Sequence, residues 1–146
     1  MFDIEILQGK KAFISGATGG VGKAIAMDLA KSGCNLFLTS TDHNSLEILA
    51  SELSVYNVNI SYDSANFSKK GNVYSTIDKA KKSLGSIDIL INSAGIFPNM
   101  SLLDIQDKDY DDVMAINFRA AFILMREFAK DMVKNEWGRI VNIGSS

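Results

Sequence analysis

The feature that most constrains this chain is the stretch Phe13-Ile14-Ser15-Gly16-Ala17-Thr18-Gly19-Gly20-Val21-Gly22-Lys23-Ala24. A short apolar run leads into a glycine-rich turn, and an alanine-rich amphipathic segment follows at once. The pattern reads as strand, tight turn and helix N-terminus. The first N–H groups of a helix lack partners within it, and the aligned peptide dipoles leave partial positive charge there. Such a turn is a natural seat for phosphate, and glycine suits it by tolerating positive φ and by letting a ligand approach the backbone.

Two phosphate motifs compete for the turn. Gly19-Gly20-Val21-Gly22-Lys23 looks like the tail of a P-loop, but that rule asks for glycine at 17 and Ser or Thr at 24. Ala17 and Ala24 stand there instead. The cradle loses its first glycine and the magnesium its usual hydroxyl, so a nucleotide-hydrolysing P-loop is disfavoured. The other candidate has glycines at 16, 20 and 22, a spacing that differs from the common G-x-G-x-x-G of dinucleotide-binding folds.

The rest of the chain alternates short apolar runs with helical periods. Strands are expected at Lys11 to Ser15, Leu36 to Thr39, Val58 to Tyr62, Ile87 to Ile91 and Arg139 to Ile143. Helices are expected from Val21 to Lys31, along Leu46, Leu49, Ala50 and Leu53 after a cap at Thr41 or Asp42, and along Val73, Ile77, Ala80 and Leu84. Gly33 and Gly85 close two of them. A long helical region is expected from Asp107 to Lys134, with Val113, Ala120, Ala121, Leu124, Phe128 and Met132 on a broad apolar face. Alternation with near-continuous apolar strands predicts an α/β fold, a doubly wound parallel sheet of Rossmann type covered on both faces. Ligands bind such sheets beyond the carboxyl ends of the strands, where the glycine turn sits.

Composition adds limits. The net charge is −2 over 146 residues, which gives no basic face for nucleic acid. No apolar run approaches a membrane span. The amino terminus, Met1-Phe2-Asp3-Ile4-Glu5, lacks the basic-then-apolar order of a signal peptide. The lone Cys34 is expected buried at a strand entrance, consistent with a reducing, cytoplasmic setting. His43 is expected in a polar surface turn, and no spacing suggests a metal site.

Several stretches together resemble the short-chain dehydrogenase/reductase family. Ser15-Gly16-Ala17-Thr18-Gly19-Gly20-Val21-Gly22 is similar to its T-G-x-x-x-G-x-G, with serine in place of the first threonine. Asn92-Ser93-Ala94-Gly95 resembles its N-N-A-G at the end of the fourth strand. Asn117 falls on the long helix where the family carries an active-site asparagine. Ile140-Val141-Asn142-Ile143-Gly144-Ser145 is similar to the strand that delivers its catalytic serine. The resemblance runs from about Leu7 to Ser146, and its flavour is that of the 3-oxoacyl-(acyl-carrier-protein) reductases.

That resemblance implies a cofactor, NADP or NAD, and reversible hydride transfer between nicotinamide and a small carbonyl or alcohol. Gly16, Gly20 and Gly22, with Thr18 and Val21 on the same turn, would seat the pyrophosphate. Asn92, Ala94 and Gly95 would lie near ribose. Asn66 matches the family's adenine contact, or is a turn-forming asparagine. Ser40 and Thr41 stand where an acidic residue would hold the ribose 2′-hydroxyl, so NADP is favoured. Ser145 would hydrogen-bond the substrate oxygen and Asn117 would hold a water of the proton relay.

The family's Tyr-x-x-x-Lys would follow the serine by about a dozen residues, tyrosine acting as general acid–base. Tyr56, Tyr62, Tyr74 and Tyr110 all precede Ser145, and none has lysine four positions later. The expectation is a cofactor-binding domain over residues 1–146, truncated after the fifth strand and inactive alone. The alternative is a non-catalytic dinucleotide-binding module. The strand at 139–143 would then lie on an open sheet edge, favouring association with another chain, including a second copy.

Overall fold

The structure is a computed structural model that describes residues 4–144. Strands β1 (Lys11–Ser15), β2 (Asn35–Ser40), β3 (Ile60–Ser64), β4 (Ile89–Asn92) and β5 (Arg139–Asn142) form one sheet in the order β3-β2-β1-β4-β5. Every pairing is parallel. From central β1 the chain winds outward through β2 to β3, then crosses to the other side of β1 to build β4 and β5. The reversal places a switch point between the carboxyl ends of β1 and β4, where doubly wound folds form a crevice.

Side-chain alternation along the central strands feeds two cores. Phe13, Phe37 and Leu90 point to one face and pack with helix α3 (Lys70–Leu84) and helix α5 (Ala121–Lys134) through Val73, Ile77, Leu124 and Phe128. Ala12, Ile14, Leu36, Leu38, Ile89 and Ile91 point to the other. There they meet helix α1 (Gly20–Lys31) and helix α2 (His43–Leu53). Phe13 stacks on Phe37 with centroids 5.6 Å apart and touches Phe128 at 4.9 Å. The small Gly22, Ala26 and Ala30 are the buried positions of α1, which seats that helix closely on the sheet.

Several boundaries differ from expectation by one or two residues. Strand β3 starts at Ile60, because the Val58 N–H turns back to the Tyr56 carbonyl instead of joining a ladder. Strand β4 starts at Ile89, although Ile87 ahead of it is buried. His43 is the first residue of α2, exposed as expected, after Asp42 caps the helix by accepting from the Asn44 N–H at 3.1 Å.

The long helical region runs from Asp107 to Lys134 as expected, but its turns are not uniform. It consists of α4 (Asp107–Met114), a π-helical segment (Ala115–Ala120) and α5. Ala115 and Ala120, five residues apart, are both buried, the spacing that a wider turn brings onto one face. Val113 and Ala121 are accordingly only half-buried, while Ile123, absent from the expected stripe, joins the core. Strand β5 is an edge strand, and Ile140 and Val141 on it are about 40% exposed. Among the described residues no helix is long and apolar enough to cross a membrane.

Candidate dinucleotide site

The glycine turn is built around two close approaches. Gly16 has φ +64°, and a Cβ there would lie 2.7 Å from the Ser93 carbonyl and the Ala94 nitrogen. A Cβ on Gly22 would strike the Gly16 carbonyl. These two glycines let β1, the turn after β4 and the start of α1 come together. Gly20 is different. A Cβ there would meet nothing within 4 Å, so the protein leaves open space over the first residue of α1.

Helix α1 begins after Gly19 with no side-chain cap and no acidic residue in its first turn. By contrast, Asp42 caps α2, and Gln106 with Asp109 forms a capping box on α4. Helix α3 is also uncapped, but none of residues 69–72 lines the cleft described below. The start of α1 therefore presents uncompensated N–H groups beside a concave surface.

Two hydroxyls fasten the neighbouring strand ends. Buried Ser15 donates to the Ile91 carbonyl at 3.4 Å and accepts from the Ser93 and Ala94 N–H groups at 3.2 Å each. Thr18 donates to the Ser40 hydroxyl at 3.0 Å, and Ser40 also accepts from the Asp42 N–H at 3.1 Å. The Ala17 N–H donates to the Thr39 carbonyl at 3.0 Å. The Asp42 carboxyl lies below its ordinary range because the Ser45 hydroxyl, and then the Asn44 and Ser45 N–H groups, hydrogen-bond its charged form.

A cleft of about 240 Å³ lies between these turns. Of the expected residues, Gly16, Thr18, Ser40, Thr41, Ala94 and Gly95 line it. Gly20, Val21 and Gly22 sit at the start of α1 outside the lining, and Val21 is half-exposed to solvent. Asn66 does not line it; its carboxamide oxygen accepts from the Ser68 N–H at 2.9 Å in a local turn, while its neighbours Ala65 and Phe67 do line the cleft.

A second cleft of about 260 Å³ shares Ala94 with the first and runs toward β5. Asn92, Asn117 and Asn142 line it with Phe118, Phe122 and Met125. The Asn92 amide donates to the Asn142 carboxamide oxygen at 2.8 Å, leaving the buried Asn92 Oδ1 without a partner among the described residues. Asn117, on the π-helical segment, accepts from the Ile96 N–H and donates to the Ile96 carbonyl, each at 2.8 Å. Ser145 lies outside the described residues.

Sequence reasoning missed the apolar walls Phe67 and Ile116 and the clasp made by Ser15. Phe67 and Ile116 carry no polar signature that marks a ligand wall. The signal at Ser15 was present, since it stands where the resemblance expects a threonine and keeps that residue's hydroxyl.

Residues 10–146 match the sequence model of the short chain dehydrogenases. The chain belongs to that family. Among curated relatives, the 3-oxoacyl-(acyl-carrier-protein) reductase FabG of Rickettsia conorii is 37% identical over 139 residues, covering 95% of this chain and 55% of the relative. Nodulation protein G of a Rhizobium species is 38% identical, with 95% and 56% covered. The chain thus spans about half the length of the curated relatives it matches. A metagenomic short-chain oxidoreductase solved in complex with NADP superposes with TM-score 0.89 at 28% identity, covering 96% of this chain and 64% of that one. A blue fluorescent protein from a metagenomic library, solved in complex with NADPH, gives TM-score 0.88 at 33% identity, with 95% and 57% covered.

Proposed function

We propose that the chain supplies the cofactor-binding part of an NADP- or NAD-dependent oxidoreductase that interconverts a small carbonyl compound and its alcohol. The observation that carries this reading is the cleft reaching Gly19 at the uncapped start of α1, with open space over Gly20. A pyrophosphate fits that arrangement, because helix N–H groups and dipole both favour an anion there. The shared cleft boundary at Ala94 supports a ligand that continues from the first cleft toward Asn92 and Asn117.

In this reading Gly16, Thr18, Gly20, Val21 and Gly22 hold the pyrophosphate, and Ser40 and Thr41 face the adenosine ribose. Asn92, Ala94 and Gly95 flank the second ribose, and Asn66 reaches adenine with the amide protons left free by its turn. The nicotinamide, when bound, supplies or accepts the hydride. Ser145 donates a hydrogen bond to the substrate oxygen, where negative charge develops. Asn117 holds Ile96 with one lone pair and one N–H, and keeps one of each for a water. None of the four tyrosines is followed by lysine four positions on. This reading therefore assigns the acid–base step to groups other than these tyrosines.

A cytoplasmic setting belongs to the same proposal and is supported by the free, buried Cys34 thiol. So does self-association, supported by the open edge of β5 beside exposed Phe118 and Phe122. Titration with NADPH, followed by nicotinamide fluorescence, tests the cofactor seat. Saturable binding is expected. No binding at millimolar cofactor contradicts it.

A further inference from the structure

We infer that Arg119 is a positioning residue for the cofactor seat, holding the loop after β3 where Ala65 and Phe67 wall the first cleft. The inference rests on the seat proposed above and concerns its apolar end.

The loop between β3 and α3 makes most of its bonds close to home. The Ala65 N–H donates to the Ser40 carbonyl at 2.8 Å. Asn66 closes a local turn, its side chain accepting from the Ser68 N–H at 2.9 Å and its carbonyl from the Asn72 amide at 3.0 Å. Burial of the Phe67 ring pins one point of the loop. The Ser68 carbonyl stands ahead of the α3 ladder, and among the described residues no backbone N–H donates to it. Arg119 supplies the partner. Its guanidinium donates to that carbonyl at 2.7 Å from the π-helical segment, 51 positions along the chain.

Arg119 does not line the first cleft. It lines a separate hollow with Ser68, Asp111 and Asp112, so it acts on a ligand in the first cleft only through the loop. The π-helical segment thus reaches both walls. Ile116 lines the cleft itself, Asn117 bonds the Ile96 backbone after β4, and Arg119 bonds Ser68 after β3. Its six residues set the spacing between the two loops that an adenine-bearing ligand has to fill. A guanidinium suits the task, because its planar fork gives a charge-assisted bond to a carbonyl. Arg119 is exposed, so water weakens that bond and its effect falls on the loop, not on the fold.

Calorimetric titration with ADP, which carries the adenine end without nicotinamide, tests this in the wild-type chain, Arg119→Ala and Arg119→Lys. If the freed loop keeps the walled arrangement about a fifth of the time, ADP binds Arg119→Ala about fivefold more weakly. The urea denaturation midpoint of that variant should match wild type. Amide exchange at Ser68 and Lys69 should accelerate several-fold while exchange at Ile96 stays the same. Arg119→Lys, whose ammonium can donate to the same carbonyl, should stay within about twofold of wild type. Unchanged ADP affinity in Arg119→Ala, or equal weakening in both variants, overturns the inference and leaves the seat intact. A loss that vanishes at about 1 M salt, where the screening length is about 3 Å, assigns the effect to charge alone and also overturns it. Failure of the wild-type chain to bind ADP removes the seat itself, and the inference with it.

Discussion

Asn117 clasps the backbone of Ile96 at two points, its carboxamide bonding both the N–H and the carbonyl at 2.8 Å. The clasp joins the π-helical segment to the loop after β4, so a widened helical turn sets one wall of the first cleft. Asn117→Ala frees that loop. Water replaces the lost partners at this exposed site, so the expected stability loss is only about 1 kcal/mol. The larger effects are faster hydrogen exchange at the Ile96 amide and several-fold weaker NADPH binding. Unchanged exchange at Ile96 would show that the clasp does not hold the loop.

Ser15 joins the ends of β1 and β4 from a buried position. Removing its hydroxyl in Ser15→Ala strands two backbone N–H groups with little access to water. The expected cost is about 1–3 kcal/mol, read by urea denaturation with the single Trp137 as reporter. Ser15→Thr keeps the hydroxyl and should lose clearly less. Equal losses in the two variants would mean that side-chain volume, not hydrogen bonding, governs the site.

Burial, and secondarily the Asp88 charge, pushes the Cys34 thiol from 9.0 up to about 11. A group whose folded pKa is raised contributes stability that is fully present below its unfolded value and lost as pH rises through the folded one. The wild-type chain should therefore lose more stability than Cys34→Ala between pH 9 and 11. Denaturation midpoints across that range check this. A disulfide-exchange reagent should label Cys34 only once the chain is unfolded.

Much of the fold was legible because parallel strands buried on both faces leave continuous apolar runs, and Gly33 and Gly85 mark helix ends at φ +81° and +83°. The π-helical segment was not. Its marker is the five-residue spacing of Ala115 and Ala120, which a search for 3.6-residue periodicity reads as noise inside one long helix. At the site, glycine spacing marked the turn but could not separate its glycines by role. Gly16 and Gly22 are needed by the chain's own packing, whereas Gly20 has open space above it. Asn66 shows the converse limit, since one asparagine can signal a ligand contact or a turn, and its oxygen serves the turn.

That division among the glycines gives the most direct test. Gly16→Ala places a side chain at positive φ against the backbone of Ser93 and Ala94, and Gly22→Ala drives one into the Gly16 carbonyl. Both should destabilise the fold by about 2 kcal/mol or more. Gly20→Ala meets no neighbour and improves helix propensity, so its denaturation midpoint should stay the same or rise slightly. The decisive measurement is NADPH titration of Gly20→Ala beside the wild-type chain. If the start of α1 seats the pyrophosphate, the folded variant binds at least about tenfold more weakly. Equal affinity in the two proteins would contradict the account.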